Sequence, residues 1–186
     1  ACSAFLPDAN QVETASGRKL DYDFLVVAAG LKLDWHKIDG LEGNLGKHGL
    51  CSNYSYDSVA STWENIRALR SGVAMFTFPP PPIKCAGAPQ KIMYLAEDHF
   101  RRTGVRKDIT VSYRCAADAI FAVKKYAAVL NDICAKRDID TQFAWKLVAV
   151  DAPARQATFE HTKNGERRSE KYDLLHVTPP MSAPAV

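Results

Sequence analysis

Phe76-Thr-Phe-Pro-Pro-Pro-Pro-Ile-Lys-Cys-Ala-Gly-Ala-Pro-Gln-Lys91 sets the end of a β-rich run against four prolines, a lone cysteine and a helix start. Residues 73–78 read as a buried strand, and the prolines end it because none can donate to a sheet ladder. Pro89 sits where a first helical turn tolerates it, and Ile92, Leu95, Ala96 and Phe100 then recur at helical spacing. Cys85 therefore falls on a strand-to-helix turn, beside orphan backbone N–H groups and the positive end of a dipole, with Lys84 next to it. Both influences favour thiolate over thiol. The competing reading is structural, since most free cysteines are small core hydrophobes. Ala86, Gly87 and Ala88 keep the approach to the sulfur clear and favour the reactive one. The turn has one glycine and no Gly-Lys-Ser/Thr ending, which excludes a P-loop.

Working outward, strands alternate with helices. Residues 57–70, 89–102 and 119–136 carry helical periodicity, while 73–78, 109–113, 143–150, 155–162 and 174–178 read as strands. This alternation implies βαβ crossovers. The expected fold class is α/β: a Rossmann-like parallel sheet with helices on its faces, plus an antiparallel β-meander before residues 174–178 return to the sheet.

Two distant stretches also resemble each other. Gln11-Val-Glu-Thr14, Gly17-Arg-Lys-Leu20 and Tyr22-Asp-Phe-Leu-Val-Val-Ala-Ala-Gly30 run parallel in kind to Gln156-Ala-Thr158, Gly165-Glu-Arg-Arg168 and Tyr172-Asp-Leu-Leu-His-Val-Thr-Pro-Pro180. Each pairs a Thr-bearing strand with a polar Gly turn and a Tyr-Asp opening onto a buried strand, as a duplicated unit would. Residues 33–53 differ: Gly40, Gly43, Gly46 and Gly49 recur without apolar periodicity, which reads as a connecting loop. The organisation expected is a piece of one domain over 1–34, a linker over 35–55, a second domain over 56–178 and a linker over 179–186.

At 186 residues, 47% apolar and 24% charged, the chain has the composition of a soluble globular protein. The net charge of +3 is spread over several segments, which speaks against a nucleic-acid stripe. No apolar run approaches membrane-spanning length, and no signal-peptide pattern is visible. Cysteines stand at 2, 51, 85, 115 and 134, with no C-x-x-C pair, so neither a zinc ribbon nor a disulfide framework is indicated. Cys134 falls on the apolar stripe of Val123, Tyr126, Ala127, Leu130 and Ile133 and reads as core; Cys115, at a strand exit, is open between core and cleft. His176, inside an apolar strand, reads as a core residue rather than a proton shuttle. His36, His48, His99 and His161 have no partners at ligand spacing, so no metal site is expected.

Tyr22-Asp-Phe-Leu-Val-Val-Ala-Ala-Gly30, Cys51-Ser-Asn-Tyr-Ser55, Ile83-Lys-Cys-Ala-Gly-Ala-Pro-Gln-Lys-Ile-Met-Tyr-Leu95 and Leu175-His-Val-Thr-Pro-Pro-Met181 together resemble the two-dinucleotide-domain flavoprotein disulfide reductases. Within them the likeness is to the sulfide:quinone oxidoreductase family, and it covers nearly the whole chain. It implies an intact protein, longer than this one, that oxidises sulfide to sulfane sulfur and passes electrons through FAD to a membrane quinone. It further implies Cys85 as a redox cysteine, Cys51 as a weaker second candidate, and Ala29 and Gly30 near the flavin. Residues 1–34 would end the first FAD-domain segment, and 56–178 would be the inserted NAD(P)-binding-like domain.

No two glycines stand two residues apart, so the Gly-x-Gly-x-x-Gly turn of FAD or nicotinamide binding is absent. The 186 residues alone are accordingly expected to be soluble, to retain no FAD and to be inactive. The intact enzyme would sit peripherally on a bacterial cytoplasmic or mitochondrial inner membrane, through regions outside this chain. The rival readings are a type II NADH dehydrogenase, which would need the missing glycines, and a non-catalytic interaction domain that keeps the fold.

Overall fold

A strand persists only where neighbours take up its backbone donors and acceptors, and that requirement sorts this chain. The computed structural model describes residues 1–185. It divides into two units, one of Ala1–Lys32 with the stretch from Ser182, the other of Leu33–Met181.

In the first unit β1 (Cys2–Leu6), β2 (Gln11–Thr14) and β3 (Lys19–Asp21) form an antiparallel meander. The buried strand expected over residues 22–30 is not formed. That stretch has no ladder, and Phe24 and Val26 are 94% and 87% exposed. The sequence is apolar enough for a strand interior, but no described strand lies alongside to pair with it.

The second unit follows β4 (Lys32–Leu33). It comprises β5 (Leu50–Cys51), α1 (Val59–Ala68), β6 (Gly72–Phe78), α2 (Ala88–Arg102), β7 (Ile109–Cys115), α3 (Lys124–Lys136), β8 (Ile139–Phe143), β9 (Trp145–Asp151), β10 (Gln156–His161), β11 (Arg167–Lys171) and β12 (Leu174–His176); β13 (Met181–Ser182) comes last. Five strands make a parallel sheet in the order β5-β12-β6-β7-β8, with Phe76 opposite Tyr113 on one side and His176 on the other. The α/β class read from the sequence is therefore the fold.

Strand alternation divides the core in two. Ala74, Phe76, Phe78, Val111 and Tyr113 pack with Ile66 of α1, Met93, Ala96 and Phe100 of α2, and Ala127 and Cys134 of α3. Met75, Leu175 and Val177 point the other way, against Leu147, Val150, Ala157 and Phe159 of the antiparallel β9-β10-β11 sheet. Helices thus cover one face and the second meander covers the other. Phe76, Phe100, Phe159 and Tyr113 are essentially water-free. Each such side chain contributes about 1.5–3 kcal/mol relative to exposure.

Two local readings change. The segment read as a linker is packed onto this unit: Ile38, Leu41 and Leu50 are buried, and Leu50–Cys51 pairs in parallel with β12. Gly40 and Gly49 are required because a Cβ would lie 2.2 Å from Val150 O and 2.0 Å from Asp173 O, respectively, and both have positive φ. The strand expected over 143–150 forms as β9 from Trp145, and β8, which the sequence reading did not assign, precedes it; Ala144, with φ 62°, turns the chain from one to the other.

Candidate functional site

Parallel α/β sheets present their ligands at the carboxyl ends of the strands, where loops rather than ladders use the backbone. Here three such ends meet. The turn after β6 carries Lys84 and Cys85, the loop after β5 carries Asn53 and Tyr54, and β12 ends at His176; together with Ala88 and Ile92 of α2 they line a cavity of about 270 Å³.

The Cys85 turn is built locally. The Cys85 carbonyl accepts the Ala88 N–H at 2.8 Å, and the Gly87 carbonyl accepts that of Lys91 at 3.0 Å, which starts α2. The Lys84 N–H donates to the Met181 thioether at 3.3 Å. Cys85 is exposed and has φ 84°, a left-handed backbone at a residue with a side chain. Strain of that kind is tolerated mainly where the surrounding structure fixes it, and it concentrates at functional positions.

The opposite wall is pinned by side chains. His176 Nε2 accepts the Asn53 N–H at 3.0 Å, Ser52 Oγ donates to the Val177 carbonyl at 2.6 Å, and the Tyr54 N–H donates to Ser52 Oγ at 3.1 Å. His176 is fully buried and stacks on Phe76, with ring centroids 6.0 Å apart. Burial depresses its pKa to about 4, so the ring is neutral, and because Nε2 accepts, the proton resides on Nδ1. His176 is thus a core residue, as read from the sequence, yet it also borders the cavity.

The remaining thiols are placed differently. Cys51 is sealed at the end of β5, and burial pushes its thiol up to about 12. Cys115 is buried at the end of β7, its thiol raised by burial to about 11, and Cys134 lies in the core beneath Tyr94, also raised by burial. Cys2 is exposed in the first unit. A thiolate, the nucleophilic form, is disfavoured wherever the sulfur is dry. Cys51 in this conformation is a packed thiol rather than an open one.

Glu97 on α2 is buried among Arg101, Arg106 and Arg137. Ala29 and Gly30 lie on the exposed, unpaired stretch of the first unit, with open space around the Gly30 Cα. Of a flavin cradle, these residues offer only approachable backbone. No group of three or more His, Cys, Asp or Glu suited to a metal ion occurs among the described residues.

Sequence reasoning missed Tyr54 and Asn53 as cavity residues. The available signal was their position just past the carboxyl end of a parallel strand. It also missed the trough of about 460 Å³ between α1 and α2, where Trp63 and Leu95 remain 53% and 67% exposed.

No protein-family model matches the chain. It is 44% identical over 181 residues to the mitochondrial sulfide:quinone oxidoreductase of Mus musculus, covering 97% of this chain and 40% of that protein. To the mitochondrial sulfide:quinone oxidoreductase of Dictyostelium discoideum it is 43% identical over 185 residues, covering 99% and 40%. The solved sulfide:quinone oxidoreductase of Aquifex aeolicus superposes with a TM-score of 0.73 at 20% identity, over 98% of this chain and 42% of that one, a likeness of fold. The chain thus spans about two fifths of the length of the curated relatives it matches.

Proposed function

Because the chain belongs to the sulfide:quinone oxidoreductase family, we propose that it is the sulfur-handling part of a flavoprotein that oxidises sulfide and reduces a quinone. The observation that carries this reading is the placement of Cys85: an exposed thiol at a cavity over the carboxyl ends of a parallel sheet, on a turn where a nicotinamide domain would have glycines.

In this reading Cys85 is one half of a disulfide whose other cysteine lies outside the chain. Hydrosulfide attacks the Cys85 sulfur; the S–S bond breaks, a Cys85 persulfide forms, and the partner leaves as a thiolate. A nucleophilic acceptor then takes the outer sulfur, which returns Cys85 as thiolate. Reclosure of the disulfide from the two thiolates releases the electron pair. FAD, when bound, supplies the two-electron acceptor that hands this pair to the quinone.

Residues 1–34 belong to the FAD-binding domain in this proposal, with Ala29 and Gly30 near the flavin, and 56–178 form the inserted domain. The packing thiol Cys51 is left without a redox role. Membrane attachment, peripheral and on a bacterial cytoplasmic or mitochondrial inner membrane, is assigned to regions outside the chain. No helix among the described residues is long and apolar enough to cross a membrane.

The test is Cys85→Ser in the full-length protein. Sulfide oxidation is expected to fall to background while FAD content and absorption spectrum stay unchanged; near-full turnover refutes the role of Cys85.

A further inference from the structure

Three buried polar atoms gather at and behind the Cys85 cavity without a hydrogen-bond partner: the phenolic oxygen of Tyr54, Thr178 Oγ1 and His176 Nδ1. Thr178 is 2% exposed and His176 not at all. Native interiors rarely leave such groups unpaired, and a cluster of them beside an open thiol points to a ligand atom. We propose that Tyr54 is the hydrogen-bond donor to the sulfur that Cys85 carries during turnover, and that His176 is the positioning residue that holds Tyr54 in place.

The proposal deepens the reading of Cys85 as a redox thiol and rests on it. Tyr54 borders the same cavity as Cys85. Its phenol is held above its ordinary pKa chiefly by burial, against a lowering by the neighbouring Thr178 hydroxyl and with a smaller rise from Cys85, so the hydroxyl keeps its proton. The phenol makes no hydrogen bond to the bare thiol. A second sulfur bonded to Cys85 stands about 2 Å beyond Sγ, inside the cavity, and as an anion it is a strong acceptor. Beyond the Thr178 hydroxyl beside it the donor has no partner in the resting chain, and it gains a strong acceptor only when sulfur is loaded, which is how a group contributes to turnover rather than to folding.

His176 acts through the main chain. Its neutral Nε2 takes the Asn53 N–H, the residue before Tyr54, and the ring cannot turn away because it is buried against Phe76. The Tyr54 N–H is held by Ser52 Oγ, itself tied to Val177, so both hydrogen bonds run back to the end of β12. An acceptor at the Nε2 position, rather than an imidazole as such, is what this geometry needs.

The experiment compares Tyr54→Phe, His176→Phe and His176→Gln with Cys85→Ser in the full-length enzyme, by melting temperature and by kcat and KM for sulfide. Tyr54→Phe removes one unpaired buried oxygen, so its melting temperature should equal or exceed that of the wild type, while kcat falls about 10- to 100-fold. His176→Phe keeps the ring stack without the acceptor and should show a similar fall in kcat. His176→Gln, whose amide oxygen reaches close to the Nε2 position, should recover to within about threefold of wild type. A wild-type kcat in Tyr54→Phe overturns the donor role, and equal kcat in His176→Phe and His176→Gln overturns the positioning role. Should a His176 variant fail to fold, Tyr54→Phe decides alone. Activity surviving in Cys85→Ser instead refutes the redox reading beneath both.

Discussion

Glu97 offers the sharpest test of what holds the helical face together. Its carboxylate is fully buried on α2; Arg137, at the end of α3, approaches to 2.6 Å, and Arg101 and Arg106 to 3.6 and 3.7 Å. Arg106 also donates to the carbonyls of Ile109, Arg137 and Asp138 at 2.7–2.8 Å, so one ionic knot joins α2, the turn before β7 and the end of α3. Glu97→Gln removes the charge at nearly constant volume. A charge-assisted hydrogen bond is worth about 1.5–3 kcal/mol, and breaking a fully buried pair costs about 3–5. The Arg137 side chain is 33% exposed, so water can take over part of its solvation. The expected loss therefore sits at the lower level, about 2 kcal/mol, or about 4–8 °C in melting temperature. Urea unfolding of Glu97→Gln, Arg137→Ala and the double variant separates the pair from packing; the coupling should be about 1 kcal/mol or more. A loss below about 0.5 kcal/mol, or additive single effects, would show that the knot is solvated by other groups and contributes nothing of its own.

Acid should act on the protein through His176. Its folded pKa, about 4, lies below the ordinary 6.5, so the unfolded chain binds the proton first. The corresponding stability is complete above pH 6.5 and is lost as pH falls from 6.5 towards 4, by about 3 kcal/mol in all. Urea midpoints across that window should fall less steeply in His176→Gln; parallel slopes would place the acid sensitivity elsewhere. Alkylation offers a third check: brief iodoacetamide treatment at pH 7.5, mapped by mass spectrometry, should label Cys85 and Cys2 and spare Cys51, Cys115 and Cys134. Early labelling of Cys51 would mean that the end of β5 opens readily.

Most of the parallel sheet was readable because its strands are short, apolar and stopped by prolines or turns, and because α2 carries its apolar spacing cleanly. Periodicity reported less well which side chains would be covered. Leu95 on α2, Val123 just before α3 and Tyr126 on α3 keep the helical repeat yet remain 67%, 48% and 58% exposed. The glycine-spaced segment hid its role for another reason. Gly40 and Gly49 serve close approaches to Val150 and Asp173, more than a hundred residues away, and no local pattern carries such information. At the site, the turn that carries Cys85 was legible, whereas Tyr54 became visible only once β5 and β12 were neighbours, a pairing that spans 125 residues.

Residues 23–30 of the first unit, past the Tyr22 N–H that donates to the Asn10 carbonyl, have one more implication. A bare apolar ribbon with free amide and carbonyl edges is the kind of surface on which like chains add to one another. Preparations of these 186 residues should cloud as concentration rises, and charged replacements at Phe24 and Val26 should clear them. In practical terms, the smaller unit, the one least concerned with sulfur, decides how readily this chain is handled in solution.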